Sequence, residues 1–441
     1  MKGAALPASP PVAPAAGGRS TRAITVAPYH GQPMNATDLE PARRPVIVSA
    51  VRTPVGRFLG ALSALTAPQL AGVAIRAAVS RAGVDPDLVD DAYVGCVLQG
   101  GVGMAPAKQA ILDGGLPESV PATAVNKVCG SGLLAVALAA RQVMLGDASV
   151  VVAAGMESMS NAPFLTTGMR RGHKAGDATL VDAMIHDGLW SPWERRHVGH
   201  DAEAIATRHG ATREAQDAWA LRSHQRAIAA SDSGAFGDEL VPVVLPGKRG
   251  SAPIVVSADE CPRRDTSAEA LASLRPAFAG HLASGEAPTV TAGNASQLAD
   301  GAAALVVTSE KFAGEHRLQV LARYVASANA SLAPEWLFEA PAPTIARLLD
   351  RTGTSLADYD LFELNEAYAA QMVADTRLIG WDEARVNVNG GSIALGHALG
   401  STGTRILATL VHALLRRDGR RGIAAACLGG GEAFAVSIEC P

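Results

Sequence analysis

Ala124-Val125-Asn126-Lys127-Val128-Cys129-Gly130-Ser131-Gly132-Leu133-Leu134-Ala135-Val136 is the stretch around which the rest of the chain is organised. The apolar residues before Cys129 alternate as in a buried strand, and from Gly132 a run of Leu, Ala and Val to about Leu145 reads as a buried helix. Cys129 therefore stands at a strand-to-helix turn. There the free N–H groups and partial positive charge of a helix N-terminus favour thiolate and lower the thiol pKa. The flanking glycines let other groups approach closely. Read alone, the stretch fits a small buried cysteine at a tight turn equally well.

Outward from this turn, strands alternate with helices. Residues 45–50 form a first strand, 67–82 a helix, 90–97 a strand and 105–113 a helix, and 148–154 a strand that enters Gly155-Met156-Glu157-Ser158-Met159-Ser160-Asn161. This order implies βαβ units around a sheet covered on both faces, an α/β fold. Residues 162–287 change character, with more charge and irregular spacing, and read as an inserted loop domain; within it Thr212 caps an amphipathic helix that runs to Ala230. A strand at 302–307 returns to the first half, which comprises 45–161 with 288–310. Residues 311–441 repeat the plan: strands at 318–326, 359–364 and 386–388, helices at 341–350, 367–378 and 402–416, and closing strands at 423–427 and 433–438. Two halves of like order suggest duplication.

Residues 1–44, rich in Pro, Ala and Gly and without hydrophobic periodicity, read as a disordered tail. Lys2, Arg19 and Arg22, with no acid before Asp38, faintly resemble a transit peptide, and a start at Met34 fits equally well. The chain of 441 residues is long enough for two or three domains. Its formal net charge of −4 points to neither a nucleic-acid nor a membrane-surface partner. No apolar run is expected to cross a bilayer, because Gly, Pro or a charge interrupts each candidate before ~18–20 residues. The cysteines Cys96, Cys129, Cys261, Cys427 and Cys440 form no close pair and no metal-type spacing, so a reduced cytosol with thiols free for chemistry is the compartment implied and no metal is expected.

Three further turns carry reactive side chains at expected strand ends: Asn365 in Glu363-Leu364-Asn365-Glu366-Ala367-Tyr368-Ala369, His397 in Asn389-Gly390-Gly391-Ser392-Ile393-Ala394-Leu395-Gly396-His397, and Cys427 in Cys427-Leu428-Gly429-Gly430-Gly431. Small residues flank each, as required where backbone N–H groups must reach a substrate oxygen. Singly, His397 also fits a satisfied core histidine, Asn365 a helix N-cap and Cys427 core filler.

Together with Gly155–Pro163 and Thr289–Ser296, these stretches resemble the thiolase family, and within it the acetyl-CoA acetyltransferases, from about Pro45 to the C-terminus. The resemblance implies a fold of two similar βαβαβαββ halves in α-β-α-β-α layers. It also implies reversible condensation of two acetyl-CoA through an acyl-cysteine, with coenzyme A as substrate and product and no permanently bound cofactor. By it Cys129 is the nucleophile, His397 its base, and Cys427 the base for the α-proton of the second acetyl-CoA. His397 with a water held by Asn365 serves the enolate oxygen, and the N–H groups of Cys129 and Gly429 serve the acyl-enzyme oxyanion. Leu189, His197, Ser296 and Ala367 match residues lining the pantetheine and acyl tunnel, and Arg263 one near the nucleotide; Arg263 and Arg264 also fit solvated surface charge.

The resemblance further implies a homo-oligomer, dimer or tetramer, with acyl-CoA as partner. A 3-ketoacyl-CoA thiolase of broader chain length in fatty-acid degradation is the nearest alternative, and a non-catalytic acyl-CoA- or lipid-binding relative a more distant one. The chain departs from the family pattern at Val198 (commonly Met), Gln297 (commonly small), Tyr368 (usually Phe) and Ala398 (nearly always Pro). Gln297 and Tyr368 are expected to add bulk to the tunnel. Glu432, after the glycine turn, is expected to point away from Cys427, whose pKa it would otherwise raise.

Overall fold

The computed structural model describes residues 35–247, 252–281 and 287–441. Its central sheet takes β1 (Pro45–Arg52), β2 (Asp91–Gly95), β3 (Ala122–Val125), β4 (Val150–Ser158) and β5 (Ala299–Ser309) from the first half. The second half gives β6 (Ala322–Ser331), β7 (Leu361–Leu364), β8 (Arg421–Leu428) and β9 (Glu432–Glu439). Across the sheet the order is β7-β8-β9-β6-β1-β5-β4-β2-β3. In the first half β2 runs parallel to β3 and β4, while β5 is antiparallel to both β4 and β1. The second half repeats this, with β7 parallel to β8 and β9 antiparallel to both β8 and β6. The halves join edge to edge where Val46 and Ile47 of β1 pair with Arg323 and Ala322 of β6.

The helices that place the site are α1 (Ala67–Ala82), α2 (Pro106–Asp113), α3 (Ser131–Leu145), α4 (Gly199–His209), α5 (Arg213–Asp232), α6 (Pro341–Thr352), α7 (Ala369–Ile379) and α8 (Leu399–Arg416). Thr66 and Gln69 form a capping box at the start of α1, and Gly83 closes it in the left-handed region. With α2 it covers one face of the first half. α3 and α8 fill the middle layer, touching each other and strands of both halves, and α6 covers β6 and β9 from outside. The middle helices are buried around most of their circumference, as packing against strands on both sides requires. From the insertion, α4 and α5 pack on α7, and Val243, Leu245 and Val256 of a short hairpin join the core of the first half.

Several expectations are corrected. The tail boundary at residue 44 is too late: Asn35 caps a short 3-10 helix, Ala36–Asp38, Ala36 is buried, and Arg44 pairs with Glu310. The disordered-tail reading of residues 1–34 lies outside the described residues. Val128–Leu145 does have the length and hydropathy of a membrane span, because the glycines at its start lower the average too little; here it is the core helix α3, with Leu133, Val136 and Val143 fully buried. The strand expected at 318–326 begins at Ala322 and continues to Ser331. No strand forms at 386–388, where only Val386 bridges Phe362. Asn387 takes φ 47°, in the left-handed region. Its side chain supplies what a ladder would have: Oδ1 accepts from Leu364 N at 2.9 Å and Nδ2 donates to Leu364 O at 2.8 Å.

Candidate active site

The site begins with a backbone contact. Where α3 and α8 cross, a Cβ on Gly132 would lie 2.4 Å from Thr404 N, and one on Gly403 would lie 2.3 Å from Leu133 N. Each position tolerates only glycine. The contact brings the heads of the two helices together, and with them the turns that precede them. As a result Cys129 Sγ lies 3.2 Å from His397 Nε2.

Thr402, on the first turn of α8, fixes which ring nitrogen is the base. Its hydroxyl donates its one proton to Ala398 O at 2.9 Å, so it accepts from His397 Nδ1–H at 2.7 Å. Nε2 is left with its lone pair facing the thiol. Burial, with Arg405 as a second cause, lowers the imidazole to about 3. Burial raises the Cys129 thiol to about 12, Glu157 adding to the rise, although the N–H groups of Cys129 and Gly429 at the sulfur pull it down. The expected thiolate-favouring effect of the helix N-terminus is therefore outweighed by desolvation. The pair rests as neutral thiol and neutral imidazole, with two backbone donors gathered at the sulfur.

Asn365 is buried beside this pair, its Nδ2 3.4 Å from His397 Nε2. Cys427, next to last in β8, is 1% exposed, in an apolar cluster with Ala367, Tyr368 and Phe338. Burial pushes its thiol well above the usual range, and the nearby charges of Cys129 and Asp375 add to the shift. Glu432 points away, pairing with Lys127. Behind the pair, Glu157 accepts from Val97 N at 3.1 Å, Leu98 N at 3.1 Å and Gly400 N at 2.9 Å, so it ties β4 to the head of α8; burial nevertheless raises it to about 7.

Four of the five expected binding residues surround this group. Leu189 packs with Cys129 against Met184 and Leu399. His197 stacks on Phe278 at 4.9 Å, and its Nδ1 accepts from Gly199 N at 3.0 Å, leaving Nε2–H as a donor; burial lowers the ring to about 4. Ser296 N donates to Ala367 O at 3.0 Å. Arg263 stands apart, at a cleft of about 110 Å³ lined also by His224, Thr266, Leu271 and Gly293. Arg264 is a surface residue paired with Asp232 at 2.5 Å. Gln297 does not add bulk as expected: its amide nitrogen donates to the carbonyls of Cys261, Ile393 and Ala394 at 3.0–3.2 Å. Tyr368 does face the cluster, edge-on to Phe338 at 5.3 Å and to Phe278 at 6.3 Å.

The sequence reading missed Phe278, Thr402, Glu157, Ser392 and Arg405 as parts of the site. Thr402 alone had a local signal, a hydroxyl within the first helical turn after His397. Among the described residues no group of three or more His, Cys, Asp or Glu has the arrangement of a metal site.

A neutral pair of half-buried Cys129 and buried His397 with backbone donors at the sulfur, set between two half-sheets of like topology, defines a class of covalent acyl-transfer site. The comparisons agree with that class. The family model for the thiolase N-terminal domain matches residues 45–311, and that for the thiolase C-terminal domain matches residues 318–440. The chain belongs to the thiolase family. It is 48% identical over 394 residues to an acetyl-CoA acetyltransferase of Cupriavidus necator, spanning 89% of this chain and 98% of the relative. It is 47% identical over 393 residues to one of Pseudomonas aeruginosa, with the same coverage. The crystal structure of the Bacillus anthracis acetyl-CoA acetyltransferase superposes with a TM-score of 0.87 at 41% identity, covering 90% of this chain and 99% of that one.

Proposed function

We propose that this chain is an acetyl-CoA C-acetyltransferase that condenses two acetyl-CoA into acetoacetyl-CoA and CoA, reversibly, through an acetyl-Cys129 intermediate. The observation that carries the reading is the 3.2 Å contact between Cys129 Sγ and the lone-pair nitrogen of His397. As the sulfur attacks the thioester carbonyl, its proton passes to His397 Nε2. The oxyanion that forms is held by the N–H groups of Cys129 and Gly429. The carbon–sulfur bond to CoA then breaks.

Cys427 rests as a thiol because burial raises it, so it is placed to give its proton to the departing CoA sulfur. Only then is it a thiolate, and the same burial makes that thiolate a strong base for the α-carbon of the second acetyl-CoA. The enolate oxygen lies at protonated His397 and a water held by the Asn365 amide. Its carbon attacks the acetyl group, the Cys129 sulfur leaves and recovers its proton from His397, and Cys427 keeps the α-proton. Both cysteines and the histidine end as they began. Leu189, His197, Ser296 and Ala367 line the acyl and pantetheine path, and Arg263 with its cleft takes the nucleotide end. Turnover of acetoacetyl-CoA well above that of six- and eight-carbon 3-ketoacyl-CoAs is the expected result, and equal rates would favour the broader 3-ketoacyl-CoA thiolase reading. Val198, partly buried against the Tyr368 cluster, is the observation on that side.

Exposed Phe164, Met169 and Leu180 support a homo-oligomer, dimer or tetramer, which sedimentation can distinguish. A cytosolic setting is proposed from the free state of all five cysteines.

A further inference from the structure

An asparagine amide has two ends of opposite character and nearly the same shape, and only its hydrogen bonds decide which end faces a substrate. In this site a chain of buried groups makes that choice. Arg405, on α8, donates from Nη2 to Ser392 Oγ at 2.6 Å. Ser392 Oγ donates to Asn365 Oδ1 at 2.7 Å, and Asn365 Nδ2 lies 3.4 Å from His397 Nε2. All four side chains are at most 5% exposed. The direction is forced from the arginine outward. A guanidinium can only donate, so the serine oxygen must accept from it, and the one serine proton goes onward. Asn365 must meet that proton with its oxygen, which turns its NH₂ toward His397 and the reacting oxygen.

We propose that Arg405 and Ser392 are positioning residues for the condensation step, holding the Asn365 amide with its donor end toward the water that serves the enolate oxygen. The arrangement has a charge cost that a purely structural contact would not need. Arg405 is enclosed in the same core as His397, where its charge opposes protonation of the imidazole. Glu363, also buried, is the first group to offset that burial, yet burial raises its own carboxyl to about 8 and neither of its oxygens accepts a hydrogen bond among the described residues. The guanidinium hydrogen bond therefore goes to Ser392 rather than to that carboxyl. Without the serine hydroxyl, Asn365 Oδ1 loses its donor and the amide is free to rotate, presenting an acceptor that takes the proton the water must give the enolate. Acetylation of Cys129 relies on the Cys129 and Gly429 N–H groups and does not use this amide.

The inference rests on the proposed role of Asn365, and the test separates the two. In Ser392→Ala, the condensation and thiolysis kcat should fall about 10–100-fold. The single-turnover rate of Cys129 acetylation by acetyl-CoA, followed by intact-protein mass, should stay within about threefold because its oxyanion donors are untouched. Adding Ser392→Ala to Asn365→Ala should cost nothing further, since its effect passes through that amide. Condensation at the wild-type rate in Ser392→Ala, or an equal loss in both half-reactions, overturns the inference, as does an undiminished further loss in the double variant. If Asn365→Ala itself condenses normally, the assignment of Asn365 is what fails.

Discussion

The turn that carries Cys129 and the turn that carries His397 head equivalent helices in the two halves, yet they are held in different ways. The first leaves a ladder strand, β3, and Val128 then takes φ 48°, a costly conformation for a β-branched residue. Asn126 Oδ1 accepts from Val128 N at 3.0 Å and Ser131 Oγ donates to Val128 O at 2.6 Å, clamping it on both sides. The second turn is reached without a strand, through Asn387 and its side-chain ladder. Their charges differ too. The thiol has Glu157 nearby, an anion only above about pH 7, and the imidazole has cationic Arg405, each when charged of the sign that keeps its neighbour neutral. The lesson is that the pair is not prepared as an ion pair by either turn. It is made by the glycine contact between α3 and α8, which sets the distance while both groups remain uncharged.

The largest effects separate the sulfurs. Cys129→Ala should abolish both half-reactions, because no acyl acceptor remains at the first turn. Cys427→Ala should still add one acetyl unit to Cys129, visible by peptide mass, while condensation falls by several orders of magnitude; condensation near the wild-type rate would show that Cys427 is not the base.

Next is the contact itself. Gly403→Ala sets a methyl against Leu133 N, and the overpacking should cost about 1–3 kcal/mol of stability. A shift of about 1 Å between thiol and imidazole should slow acetylation ~100-fold. A variant with a normal melting temperature and normal acetylation would mean that the turns, not the helices, set the distance.

The pH profile sharpens the charge argument. With Cys129 near 12 and His397 near 3, neither titrates between about pH 5 and 9, so their pair alone gives a flat acetylation rate there. Glu157, raised to about 7, can add an inflection near neutrality, and Glu157→Gln should remove it. The linked stability effect has a definite sign. The unfolded carboxyl ionises at about 4.5 and the folded one at about 7, so between these values the folded state binds more protons and stability falls as pH rises. Melting of Glu157→Gln should lack that part of the slope.

The smallest effect concerns the residue after the base. Ala398 has φ −76°, which proline adopts. Ala398→Pro should stabilise by about 0.4–1 kcal/mol through the unfolded chain. A lowered melting temperature would mean that this turn cannot take the ring, which sits among Val55, Cys261 and Ala299.

How much of this was legible in the chain follows the same divide. The 67–82 helix and the buried run after Gly132 both announced themselves, because local propensity and packing agree there. The residues at 386–388 looked like a strand because Val-Asn-Val alternates; nothing local says that Asn387 will turn left-handed and replace a ladder with its own amide. Cys129, Asn365, His397 and Cys427 stood out through the resemblance that their four motifs carry together, since no single turn separates them from core residues. Their ionisation was not readable, since the helix end is visible in sequence and the enclosing core is not. Arg405, Ser392 and Thr402 were missed because their partners lie across the fold or one helical turn away, and helical polar residues usually face water.

The seam of the sheet bears on how the chain is made. Among the described strands β1 leaves the ribosome first, yet it is flanked by β5 and β6, pairing Pro45 with Ser309 on one side and Val46 with Arg323 on the other. Its neighbours, beginning at Ala299 and Ala322, are translated only after residues 162–287. Until then β1 has two open edges, and β4 lacks the antiparallel partner that β5 provides. Closure of the first half is thus a late, long-range event in synthesis, the kind that is slow and leaves strand edges exposed to other chains. The central position that unites the two halves in the finished protein makes this strand the one that must be shielded longest while the rest is being built.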